Sequence, residues 1–178
     1  MNLTEVVMRN ALRNLGERLP RAARIIVGGG GAMVLAHGFR LATTDIDGVP
    51  AAGVTMEELA PFIAEVAREL SLPADWLNPY YSTFAHVLPL DYGSRLITVC
   101  DFPRLKVDAL SKDDLLIMKC FAARQKDTLH ARALIRGGAR LDFVRTHIES
   151  LERKRIPGTE KALRFLDELE EFFSDRED

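Results

Sequence analysis

The chain has 178 residues, 47% hydrophobic and 28% charged, values of a globular protein that buries a sizeable core in one domain, or in one domain with a small appendage. No run of about 18 apolar residues occurs, so a spanning helix is excluded; Met1-Asn2-Leu3-Thr4-Glu5 has no basic region leading into an apolar stretch, and secretion is not expected. Two cysteines, Cys100 and Cys120, cannot build a disulfide scaffold, and buried thiols in a cytoplasmic protein are the expectation. A net charge of −2 hides an asymmetry. Thr159–Asp178 carries 8 acids against 3 bases, whereas Lys119–Arg155 carries 10 bases against 4 acids. The basic stretch admits a polyanionic ligand such as a nucleotide or RNA, although such charges more often simply solvate helix faces.

Leu12, Leu15 and Leu19 recur at helical spacing and predict a first helix closed by Pro20. Arg24-Ile25-Ile26-Val27 then reads as a short strand running into Gly28–Gly31, and Ala32–His37 as a short apolar helix stopped by Gly38. A polar stretch, Thr43–Asp47, leads to an expected loop at Gly48-Val49-Pro50. Thr55 and Glu58 stand three apart as a capping box before a helix ending near Leu70.

Pro73–Pro79 is expected to be irregular. Strands are expected over Thr83–Pro89 and Arg95–Phe102, joined by a turn at 91–94, with Arg104–Leu110 as a third. Ser111 with Asp114 caps a buried helix through Leu115, Leu116, Met118, Phe121 and Ala122. Further helices follow at Lys126–Ile135, Leu141–Arg153 and Thr159–Phe173. Strands crowd the first two thirds and helices the last. This order predicts an α+β fold: a mixed β-sheet flanked by helices over 1–110, then a C-terminal helical portion, 111–178, packed on that core or forming one compact domain with it.

The strongest local feature is Gly28–Gly31 between strand and helix. Glycines let the backbone approach a phosphate, and a helix start offers free N–H groups. A Walker A loop fails because no Gly-Lys-Ser/Thr follows. A dinucleotide fingerprint is weak, because Met33 holds the third glycine position. On a strand, Asp45 and Asp47 share a face, and two carboxylates held together invite a hard divalent cation such as Mg2+. A glycine turn beside such a pair is a layout for metal-assisted nucleotidyl transfer. An isolated D-x-D, with Thr44, also caps an ordinary turn.

Val27-Gly28-Gly29-Gly30-Gly31-Ala32 followed by Thr43-Thr44-Asp45-Ile46-Asp47 resembles the signature of the polymerase-β-type nucleotidyltransferase superfamily. Within it, the chain is most similar to small bacterial and archaeal proteins related to AbiEii-type toxins of toxin–antitoxin systems. Trp76-Leu77-Asn78 resembles a segment of one subgroup, and Asp114–Arg124 with Lys126-Asp127 resembles the group's helical D-L-L-x-x-K block. The similarity covers roughly Val27–Leu134. It implies that Gly29, Gly30, Gly31 and Thr44 hold an NTP, that Asp45 and Asp47 bind Mg2+ or Mn2+, that Lys119 contacts phosphate, and that Asp127 positions Lys119 or the second substrate. Lys119 stands among apolar residues, where an ammonium wants an anion or snorkels to the surface.

Three departures accompany the resemblance. Gly31 replaces a serine common in the family, His130 replaces a second acid after Asp127, and a third carboxylate, Asp101 or Asp108, is not selected by the sequence. His37 is expected to cap or pack on its helix. The leading expectation is a Mg2+-dependent enzyme transferring an NMP to an RNA (a tRNA, for instance) or to a protein hydroxyl, with the basic stretch facing that acceptor. A cognate antitoxin is a further expected partner. A catalytically inert nucleotidyltransferase-like binding module is the alternative, and a dinucleotide-binding domain a weaker one.

Overall fold

The computed structural model describes residues 2–40, 43–51 and 53–174. In chain order the elements are α1 (Glu5–Arg18), β1 (Ala23–Val27), α2 (Gly29–His37), β2 (Ile46–Pro50), α3 (Met56–Glu69), β3 (Leu77–Asn78), two 3₁₀ segments (Tyr80–Val87 and Tyr92–Arg95), β4 (Ile97–Phe102), β5 (Leu105–Ala109), α4 (Lys112–Ala122), α5 (Gln125–Arg136), α6 (Leu141–Arg153) and α7 (Thr159–Ser174). The fold is α+β with a mixed five-stranded sheet, as the sequence predicts. Two compact units are present: Met1–Thr83 with Arg95–Leu110, and Phe84–Ser94 with Ser111–Asp178.

The first unit holds the sheet, ordered β3-β2-β1-β5-β4. β1 runs parallel to β5 and antiparallel to β2, and β4–β5 form a hairpin. One sheet face, with Ile25, Val27, Leu105, Val107 and Ala109 all buried, packs under α1 and α2. The stripe Met8, Ala11, Leu12 and Leu15 supplies α1's buried side, and Thr4 caps its start through the Val7 N–H. The Thr55–Glu58 capping box forms with both reciprocal bonds. In the second unit α4 is the central helix, packed by α5, α6 and α7. Its cap is Ser111, whose hydroxyl accepts the Asp114 N–H.

Three expectations are corrected. Gly48-Val49-Pro50 is strand rather than loop: a Cβ at Gly48 would press within 3.0 Å of Ile25 and Leu77 side chains, and Pro50, lacking an N–H, ends the strand. The expected strand at Thr83–Pro89 is instead 3₁₀ up to Val87. Local turn chemistry overrides its β-branched residues. Asn78 Oδ1 accepts the Tyr80 N–H, the Ser82 N–H reaches the Pro79 carbonyl, and the Thr83 hydroxyl donates to the Tyr80 carbonyl. Likewise 91–94 is no hairpin turn but leads into a second 3₁₀ segment, and the hairpin turns at Pro103-Arg104.

Candidate functional site

β1 delivers the chain into Gly28, whose N–H donates to the Asp47 carbonyl at 2.8 Å and whose carbonyl accepts the Ala32 N–H at 3.0 Å. The glycines therefore form the first turn of α2 rather than a loop before it, and the amides at that turn lack intrahelical acceptors. Gly29 sits in the left-handed region at φ +55°, and a Cβ there would land inside the Asp47 carboxylate. A Cβ at Gly30 would meet the Thr43 hydroxyl at 3.1 Å.

Gly29→Ala is accordingly expected to cost about 1–3 kcal/mol, from the strained backbone and the displaced carboxylate together. Thermal unfolding should show it as a midpoint several degrees lower. An unchanged midpoint would mean that the turn does not hold this geometry.

Ile46 is buried and its methyl faces Gly31, so its strand neighbour Asp47 belongs to the opposite side of the sheet. Asp45 lies in a bend immediately before β2, not within a strand, and Asp47 is the second residue of β2. Both are half-buried. Asp47 Oδ2 lies against Gly29. Asp45 Oδ2 accepts Asn78 Nδ2 at 3.0 Å, and the Thr43 hydroxyl, beside Gly30, lies 3.4 Å from Asp45 Oδ1 and donates to the Asp45 carbonyl at 3.0 Å. Consecutive glycines thus meet the two acids, Gly29 directly and Gly30 through Thr43. Thr44 is exposed in the bend.

Strand register separates the two further acids. Asp108 pairs with Ile26, and Ile26 with Val49, two residues beyond Asp47, so Asp108 and Asp47 share the sheet face away from α1 and α2. Asp101 pairs with Lys106 near the opposite end of the strands and is exposed. Asp108 is 1% exposed and already engaged, accepting Arg24 Nε and the Thr98 hydroxyl, each at 2.6 Å. Among the described residues no group of three or more His, Cys, Asp or Glu is placed to hold a metal ion. His37 Nε2 donates to the Leu110 carbonyl at 2.9 Å, a packing role.

Lys119 and Asp127 belong to the second unit, where they meet directly. Lys119 Nζ donates to Asp127 Oδ1 at 2.6 Å, while Arg124 Nε and the Arg124 N–H donate to Oδ2 at 2.7 and 3.2 Å. Asp127 is fully buried and Lys119 6% exposed. Burial pushes the Asp127 carboxyl up, but the hydrogen bonds and charges of Arg124 and Lys119 outweigh it and hold it at about 2. One turn later, His130 stands with a buried Nδ1 that has no hydrogen-bond partner among the described residues. Burial, then the Lys119 charge, lower its pKa. Burial likewise raises the Cys120 thiol and leaves it inert.

Residue type alone does not mark Asn78 or Thr43. The signal for both lay in plain sight, in Trp76-Leu77-Asn78 and Thr43-Thr44-Asp45, but neither motif states that an amide and a hydroxyl converge on one carboxylate. Arg24 and Thr98 left no sequence signal, since only the β1–β5–β4 register brings them to Asp108.

Compared with known families, residues 3–151 match one described as "Nucleotidyltransferase of unknown function (DUF6036)". No curated protein and no solved structure matches the chain.

Proposed function

Because the chain belongs to this nucleotidyltransferase family, we propose that it transfers an NMP from an NTP to a hydroxyl of an RNA or protein acceptor, with Mg2+ or Mn2+ held by Asp45 and Asp47. One observation carries the reading: both carboxylates converge on the first turn of α2, Asp47 against Gly29 and Asp45 through Thr43 beside Gly30. The donor set suits the ion, since carboxylate oxygens are what a hard divalent cation prefers and water and phosphate oxygens complete its shell. A Cβ at Gly29 would fall on Asp47 Oδ2, so the glycine is what lets that carboxylate lie against the turn. When bound, the ion supplies charge neutralisation at the phosphates and acidifies the attacking hydroxyl.

The amides of Gly29–Gly31 are available for a triphosphate oxygen. The acceptor oxygen forms a bond to the α-phosphorus and loses its proton, while the α–β bridging bond breaks and pyrophosphate leaves. The AbiEii-like resemblance extends the proposal to a role beside a cognate antitoxin.

A second reading, an inert binding module, is favoured by Asp108. Its pairing with Arg24 engages the acid that shares the face of Asp47. Incubating the full chain with α-³²P-labelled NTPs, tRNA and protein separates the two. Transfer is expected with Mg2+ or Mn2+ and none after EDTA. NTP binding without any label transfer under either metal sides with the inert module.

A further inference from the structure

Asp45 is held by neutral groups alone. Its carboxylate accepts an amide from Asn78 and lies within reach of the Thr43 hydroxyl, and it has no ion pair among the described residues. Asp108, by contrast, is held by an arginine. The distinction has a chemical consequence: a guanidinium neutralises the carboxylate it orients, whereas an amide fixes the oxygen and leaves the full negative charge for a cation.

Asn78 is itself over-determined. Trp76 is completely buried with its indole N–H on the Ile63 carbonyl at 3.1 Å, and the Ile46 N–H reaches the Trp76 carbonyl at 2.7 Å. That anchors β3 in register, with Asp47 opposite Asn78. The Asn78 amide then spends both N–H groups, one on Asp45 Oδ2 and one on the Asp75 carbonyl at 3.2 Å, while its Oδ1 accepts the Tyr80 N–H at 3.0 Å. Flipping the amide would set oxygen against a carboxylate and a carbonyl, so the hydrogen-bond network fixes which atom faces Asp45.

We infer that Asn78 is a positioning residue of the cation site, a neutral clamp that aims Asp45 while preserving its charge. The inference rests on the metal-dependent reading above. It gives the Trp76-Leu77-Asn78 segment a physical role, with tryptophan as the anchor and asparagine as the clamp.

The test is Mn2+ binding to the full chain without nucleotide, followed by electron paramagnetic resonance, with thermal unfolding of the metal-free protein alongside. Asp45→Asn is expected to abolish binding. Asn78→Ser, whose oxygen still accepts the Tyr80 N–H but is too short to reach Asp45, is expected to weaken Mn2+ about tenfold, with little change in the metal-free midpoint. Asn78→Lys also donates to Asp45, through its ammonium, and is expected to weaken Mn2+ about a hundredfold because its charge competes with the ion.

Equal Mn2+ binding by wild type and Asp45→Asn overturns the metal reading itself. Loss in Asp45→Asn with wild-type affinity in Asn78→Ser overturns only the role of Asn78. Where Asn78→Ser fails to fold, wild-type affinity in Asn78→Lys overturns it equally.

Discussion

Asp45→Asn and Asp47→Asn are each expected to lower nucleotidyl transfer about a thousandfold while the protein stays folded. Asparagine keeps the shape of aspartate but removes the charge that the proposed site offers a divalent cation. Losing a ligand of a catalytic ion forfeits several kcal/mol of transition-state stabilisation, and each 1.36 kcal/mol is a factor of ten. Stability should move little, because both side chains are half-buried and Asp45's partners are neutral donors rather than cations left stranded by the change. Single-turnover rates with labelled NTP, beside thermal unfolding without metal, read the two effects separately. Rates within tenfold of wild type for both variants would remove the carboxylates from the chemistry.

The largest stability effect is expected at Asp127. Asp127→Ala strands the Lys119 ammonium, 6% exposed, without its counter-charge and also removes the acceptor of the Arg124 N–H at the start of α5. Breaking a buried pair from one side costs about 3–5 kcal/mol. Lys119→Met should cost less, since Asp127 keeps Arg124. The pair Lys119→Met with Asp127→Asn should cost less than the sum of its parts, because no buried ammonium remains to be stranded.

The same carboxylate sets a pH window. Its pKa is lowered in the fold, from an ordinary 3.8 to about 2, so its contribution is present above pH 4 and is lost as the pH falls towards 2. Urea unfolding between pH 7 and pH 2 should show wild type losing this stability, and Asp127→Asn lacking that loss. A cost below about 1 kcal/mol for Asp127→Ala would show the pair to be dispensable.

Local features were the legible ones. The Thr55–Glu58 box, the Ser111 cap, the Gly38 stop and the helices from 125 onward could be read off the chain, because a cap or a helix stop depends on residues within four positions of one another. The glycine run and the Asp45/Asp47 couplet could be read off the chain for the same reason. Thr83–Pro89 reads as a strand from its β-branched residues, but Pro79 and the side-chain bonds of Asn78 and Thr83 close 3₁₀ turns over Tyr80–Val87 instead.

What the residues determined by themselves was therefore the α-helices, the strands β1, β4 and β5, an α+β order and a glycine turn paired with two acids. Only the tertiary structure decided that Asp108 shares the face of Asp47, that Arg24 ties up Asp108, that Asn78 holds Asp45, and which of its two expected partners Asp127 meets. Those outcomes come from strand register and helix packing, which join residues as far apart in sequence as Arg24 and Asp108 or Asp45 and Asn78. Such partners are chosen by the burial of the whole sheet and helix layer, and no short window of sequence contains that choice.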